Sequence, residues 1–143
     1  MHSVLVVDDE TGIRTILTRW LTTAGYDVRE AEDADAALVA MKASPADVVM
    51  CDITMPGHDG LWLAAELHKL YPASAVILAT GHDSVPPASS MQAGLVEYIV
   101  KPFEPKAVRR SAANAARWHD GAVTRGPQTP AAADALDKWF AGS

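Results

Sequence analysis

Two spacings of apolar residues alternate along the first 118 positions. Val4-Leu5-Val6-Val7 is a short, β-branched run of the kind that forms a strand buried on both faces. Ile13, Ile16, Leu17, Trp20, Leu21 and Ala24 then recur at i, i+3, i+4 and i+7, predicting a helix that Gly25 stops, with Trp20 as its core anchor. Tyr26–Arg29 reads as a second strand. Ala34, Ala37, Leu38 and Met41 mark a second helix ended before Pro45, and Val48-Val49-Met50-Cys51 a third buried strand. Leu61–Leu70 is a third helix closed by Tyr71-Pro72, and Ala75–Ala79 a fourth strand. Pro86 and Pro87 leave room only for a short fourth helix over 88–93, before Gly94. Val96–Val100 is a fifth strand, and Val108, Ser111, Ala112 and Ala115 are the inner stripe of a fifth helix. Five such strand–helix units predict an α/β domain over 1–118, a doubly wound parallel sheet with right-handed crossovers and helices on both faces.

Beyond that unit, residues 119–130 have linker composition, and 131–141 reads as a short helix with Leu136, Trp139 and Phe140 on one stripe. The chain of 143 residues is long enough for one domain with its own core, and 49% hydrophobic against 21% charged residues suits a soluble globular protein. Cys51, the single cysteine, excludes an intrachain disulfide and reads as core packing. No apolar run reaches a membrane span and the acidic N-terminus is no signal peptide, so the expected location is the cytoplasm. Residues 1–70 hold 12 acids against 5 bases and residues 71–143 hold 6 against 7. A nucleic-acid-binding surface needs the opposite balance, so direct binding to nucleic acid by this chain is not expected.

In an open parallel sheet, ligands bind beyond the carboxyl ends of the strands, at the switch point of strand order. The residues there include Asp8 and Asp9, Asp52, Thr80 and Lys101. Taken singly, each has an ordinary explanation: an aspartate after a strand usually caps the next helix, and a lysine usually sits in solvent. Together they are harder to explain, because three crowded carboxylates repel one another. A divalent cation removes that conflict, and an all-oxygen donor set without His or Cys suits Mg2+.

Asp8-Asp9 after strand one, the stretch Cys51-Asp52-Ile53-Thr54-Met55-Pro56-Gly57-His58-Asp59-Gly60, Ala79-Thr80-Gly81 and Tyr98-Ile99-Val100-Lys101-Pro102-Phe103 resemble the motifs of a two-component response-regulator receiver domain. The resemblance covers residues 1–118 and implies the flavodoxin-like strand order 2-1-3-4-5. It implies that Asp52 is the phosphoacceptor for a histidine kinase or phosphotransfer protein. Mg2+ would be held by Asp9, Asp52 and the backbone carbonyl of Thr54, with Asp8 acting through a bound water. Lys101 would neutralise the phosphoryl oxygens, and the Lys101-Pro102 bond would be cis. Thr80 and Tyr98 match the family's switch pair, which would pass the event to the face formed by helix four, strand five and helix five. Lys106, Arg109 and Arg110 on that face could meet an acidic partner, and Glu97 could serve a symmetric homodimer. Such a domain is a stoichiometric phosphoacceptor, phosphorylated and dephosphorylated by its own residues, and not an enzyme turning over substrate.

Two other classes compete. A small Mg2+-dependent phosphatase with an Asp nucleophile would place that nucleophile after strand one with a second Asp two residues on, where Glu10 and Thr11 stand here. A flavodoxin-like cofactor binder would need an anion-friendly first loop, and Asp8, Asp9 and Glu10 repel phosphate. His58 and His68 read as surface residues, and Met55-Pro56-Gly57 as the turn leading to helix three.

Overall fold

A computed structural model describes residues 1–81 and 95–125. Along the chain lie β1 (Ser3–Val7), α1 (Thr11–Thr23), β2 (Asp27–Ala31), α2 (Ala34–Ala43), β3 (Val48–Asp52), α3 (Gly60–Leu70), β4 (Ala75–Thr80), β5 (Leu95–Val100) and α4 (Pro105–Arg125). All strand pairs are parallel and the sheet order is β2-β1-β3-β4-β5, as expected for a doubly wound flavodoxin-like sheet. The helix expected over 88–93 and the one expected over 131–141 lie outside the described residues; α4 is the fifth helix of the sequence reading.

The near-continuous apolar strands follow from burial on both sides. Successive side chains of a strand point to opposite faces. Leu5, Val7, Val49, Cys51, Val76 and Leu78 join Ala37 and Met41 of α2 and Leu63 and Leu67 of α3 on one face. Val4, Val6, Val48, Met50 and Ile77 join Leu17 and Leu21 of α1 and Val108, Ala112 and Ala115 of α4 on the other. β2 is one of the two edge strands, and its sequence Asp27-Val28-Arg29-Glu30-Ala31 is polar and half-exposed.

Three details depart from the sequence reading. Ile16 is 44% exposed although its spacing put it on the inner stripe of α1. At 100° per residue it lies a quarter-turn from Leu17, outside the arc that meets the sheet. Trp20 is only partly buried, packing at the margin of the core where Leu17 and Leu21 are the anchors.

The third departure concerns residues 119–125, which continue α4 instead of forming linker. A glycine in a helix costs only about 1 kcal/mol relative to alanine, so Gly121 alone does not end it. Tertiary bonds hold these turns. His119 Nδ1 lies 2.7 Å from the Ala73 carbonyl oxygen and its Nε2 3.1 Å from Asp47 Oδ1. Asp120 Oδ1 lies 2.8 Å from His2 Nε2.

Candidate functional site

The register of the sheet brings the predicted chemistry to one edge. Val7 pairs with Cys51, Asp52 with Ala79, and Thr80 with Val100, so Asp8, Asp52, Thr80 and Lys101 end four adjacent strands at one level. Asp8 and Thr80 are each 1% exposed and Asp52 6%, whereas Asp9 is exposed and Lys101 half-buried. One carboxylate oxygen each from Asp8, Asp9 and Asp52 lies within 4.8 Å of the others. Lys101 Nζ stands over the pair of buried acids, 3.3 Å from Asp52 Oδ2 and 3.4 Å from Asp8 Oδ2. The Lys101-Pro102 peptide bond is cis.

The aspartates after β1 do not cap α1. Its N-cap is Glu10, which makes no side-chain capping bond, whereas Asp33 and Asp59 accept from Ala36 N–H and Trp62 N–H at the starts of α2 and α3. The ordinary explanation of a post-strand aspartate thus holds for α2 and α3 and fails at the site. Asp8 Oδ1 instead accepts from the Glu10 N–H at 2.9 Å, fixing the turn. Asp52 Oδ1 accepts from Thr54 N–H at 3.3 Å, and the Thr54 residue, expected as a carbonyl ligand, follows in the exposed loop after β3.

Burial pushes the Asp52 carboxyl above its ordinary range, and Asp8 adds to this by repulsion; Lys101 and the Thr54 N–H pull the other way without cancelling it. Lys101 shows the reverse competition: burial alone would lower it, but Asp52 and Asp8 hold it above the usual lysine value. It is therefore a firmly charged ammonium facing two acids. The three acids and one cation leave a net negative, oxygen-only pocket, and that donor chemistry fits a hard divalent cation with little taste for nitrogen or sulfur.

Thr80 is buried, and its hydroxyl donates to the Gly81 carbonyl at 3.1 Å. Tyr98 is opposite Leu78, and alternation sends it and Thr80 to the same face of the sheet. The Tyr98 ring packs against the α2–α3 side of the core, and its buried hydroxyl has no hydrogen-bond partner among the described residues. Lys106, Arg109 and Arg110 are exposed on α4. Glu97 Oε1 accepts from Asn114 Nδ2 at 2.8 Å, and its Oε2 has no hydrogen-bond partner among the described residues. Cys51 is buried, and burial, with Asp52 beside it, drives its thiol far above the usual range, so it stays a packing residue. His58 is exposed and stacks on Trp62, while His68 is half-buried on α3.

Sequence reasoning missed Arg14, and it placed Gly60 near the start of helix three without foreseeing how tightly it packs. A Cβ on Gly60 would lie 2.4 Å from the Asp52 carbonyl oxygen, so the start of α3 presses directly on the end of β3. Arg14 reaches back from α1 to donate to the Asp8 carbonyl at 2.6 Å. Gly60 had a signal, being an isolated glycine that opens a helix close behind the site. Arg14 had none, because its spacing is that of any solvent-facing arginine on a helix.

A doubly wound α/β domain with a cluster of three aspartates and a lysine at its switch point is the class that fold and site define. Within that class the chain belongs to the response regulator receiver domain family, whose model matches residues 4–113. The transcriptional regulatory protein GlrR of Escherichia coli is 33% identical over 87% of this chain and 30% of its own length. The DNA-binding transcriptional regulator NtrC of Salmonella typhimurium is 38% identical over 71% of this chain and 22% of its own. This chain therefore spans less than a third of those regulators. Among solved structures, the receiver domain of NtrX from Brucella abortus superposes with a TM-score of 0.75 at 34% identity, covering 80% of this chain and 98% of that one. A receiver domain protein from Clostridium thermocellum gives 0.74 at 30% identity, covering 82% and 95%. The phosphatase alternative finds no support in these matches.

Proposed function

We propose that the chain accepts a phosphoryl group on Asp52 from a histidine kinase or a phosphotransfer protein. The observation that carries this reading is the convergence of the Asp8, Asp9 and Asp52 carboxylates with Lys101 Nζ 3.3 Å from Asp52. In the proposed step an Asp52 oxygen attacks phosphorus, the bond from phosphorus to the donor's imidazole nitrogen breaks, and the imidazole leaves with its electron pair. An aspartyl phosphate results, once per protein molecule. Asp9, Asp52 and the Thr54 carbonyl would hold Mg2+, with Asp8 acting through water; the bound ion supplies charge neutralisation for the transferring oxygens. Lys101 supplies a second positive charge and orients Asp52 through their hydrogen bond.

The phosphoryl oxygens would attract the Thr80 hydroxyl away from the Gly81 carbonyl, and the shared face of Thr80 and Tyr98 supports a coupled movement of the tyrosine ring. That movement would alter the surface of β5 and α4. A second copy of the chain is one partner for this face, and would bring the acidic complement to Lys106, Arg109 and Arg110. Exposed pairs of that kind contribute little, about 0–1 kcal/mol each.

Incubation with acetyl phosphate and Mg2+, followed by intact mass measurement, tests the reading. One added phosphoryl group, whose formation is prevented when EDTA is present from the start, is the expected result. Wild-type protein that gains no phosphoryl group under these conditions would contradict the reading.

A further inference from the structure

The pocket is only as well aimed as the turn that carries its acids. Asp8 is fastened at each polar atom: its N–H donates to the Ala31 carbonyl at 3.2 Å, Oδ1 accepts from Glu10 N–H at 2.9 Å, Oδ2 faces Lys101 Nζ at 3.4 Å, and its carbonyl accepts from Arg14 Nη1 at 2.6 Å. Asp9 is exposed and starts from the peptide plane to which that carbonyl belongs. A peptide unit is planar, so fixing its oxygen also fixes the nitrogen from which Asp9 departs. Arg14 itself is held from two further directions, with Nε 3.4 Å from Glu30 Oε1 on β2 and Nη2 donating to Thr11 Oγ1 at 3.2 Å. Its side chain is 14% exposed. One guanidinium thus ties the end of β1, the edge strand β2 and the first turn of α1 at a single point, a task for a planar fork of donors that an ammonium cannot copy.

We propose that Arg14 is a positioning residue for the cation pocket: it holds the Asp8–Asp9 turn in the geometry that presents both carboxylates to Mg2+, acting through the main chain and not by contact with the ion. The proposal rests on the Mg2+ reading of the acidic cluster. Removing Arg14 alone would confound position with charge, because Glu30 would be left as an extra negative group beside the pocket and would favour the cation. Replacing both members of the pair keeps their net charge at zero and isolates the positional effect.

The test is calorimetric titration of Mg2+ into the unphosphorylated protein, with thermal melting run alongside to confirm folding. The double variant Arg14→Gln, Glu30→Gln is expected to bind Mg2+ about 10-fold more weakly than the wild type, as is usual when a group orienting metal ligands is removed. Arg14→Lys, which keeps the charge and a donor for the Asp8 carbonyl but loses the fork, is expected to fall between them. Double-variant affinity within two-fold of wild type would overturn the proposal, as would wild-type affinity in Arg14→Lys if the double variant fails to fold. If the wild type itself takes up no Mg2+, the cation reading falls, and this proposal with it.

Discussion

Asp52 carries a measurable cost for its place in the site. Its carboxyl is held above the ordinary range by burial and by Asp8, so the folded state is penalised whenever Asp52 is ionised. Stability from this group is greatest below the ordinary carboxylate pKa, about 4, and falls as pH rises through the elevated folded value. Asp52→Asn is therefore expected to raise the melting temperature at neutral pH, with the gain vanishing near pH 3. Equal stability of the two proteins across pH 3–7 would contradict the burial argument. Lys101→Met removes the cation that two buried acids face and should cost about 1–3 kcal/mol in denaturant unfolding, besides slowing phosphorylation. At this scale the sequence showed which residues meet, because Asp8, Asp52, Thr80 and Lys101 each follow a strand. It did not show which aspartates cap helices: Asp33 and Asp59 do, Asp8 and Asp9 do not, and the difference lies in three-dimensional orientation. Arg14 was illegible for the same reason, since its partners are a main-chain carbonyl and a residue of another strand.

Among the elements, α3 and α4 carry the sharpest expectations. Gly60 opens α3 where a methyl group would strike the Asp52 carbonyl at 2.4 Å, against backbone that cannot yield cheaply. Gly60→Ala should destabilise by about 1–3 kcal/mol and disturb the end of β3; an unchanged unfolding midpoint would show that α3 can shift outward without cost. For α4, the apolar spacing of Val108, Ser111, Ala112 and Ala115 announced a buried helix, and all four are buried. Its end was not legible, because Gly121 and Pro127 suggest a linker while His119 and Asp120 find partners distant in sequence, Asp47, Ala73 and His2. His119→Ala is expected to cost about 1–2 kcal/mol in equilibrium unfolding. Truncation after Arg125 should leave the melting temperature nearly unchanged, whereas truncation after Trp118 should lower it; the reverse order would contradict the role assigned to these turns.

For the molecule as a whole, alternation of strand and helix periods was enough to specify a parallel sheet covered on both faces, since only double-sided burial explains runs such as Val4–Val7 and Val48–Cys51. Strand order came from the motif resemblance and not from periodicity, which is blind to which strands are neighbours. Three acids of the acidic first half, Asp8, Asp9 and Asp52, gather at this edge of the sheet. The opposite end holds the His2–Asp120 and His119–Asp47 pairs, so the two termini of the described fold are tied together away from the chemistry. The central claim is that all of this serves phosphoryl transfer to one carboxylate. Its most direct test is to phosphorylate the protein with acetyl phosphate and Mg2+, reduce the acyl phosphate with borohydride, and locate the resulting homoserine by peptide mapping. Homoserine at position 52 alone, absent from Asp52→Asn, is the predicted result; equal labelling of that variant, or homoserine at position 8 or 9 in the wild type, would contradict it.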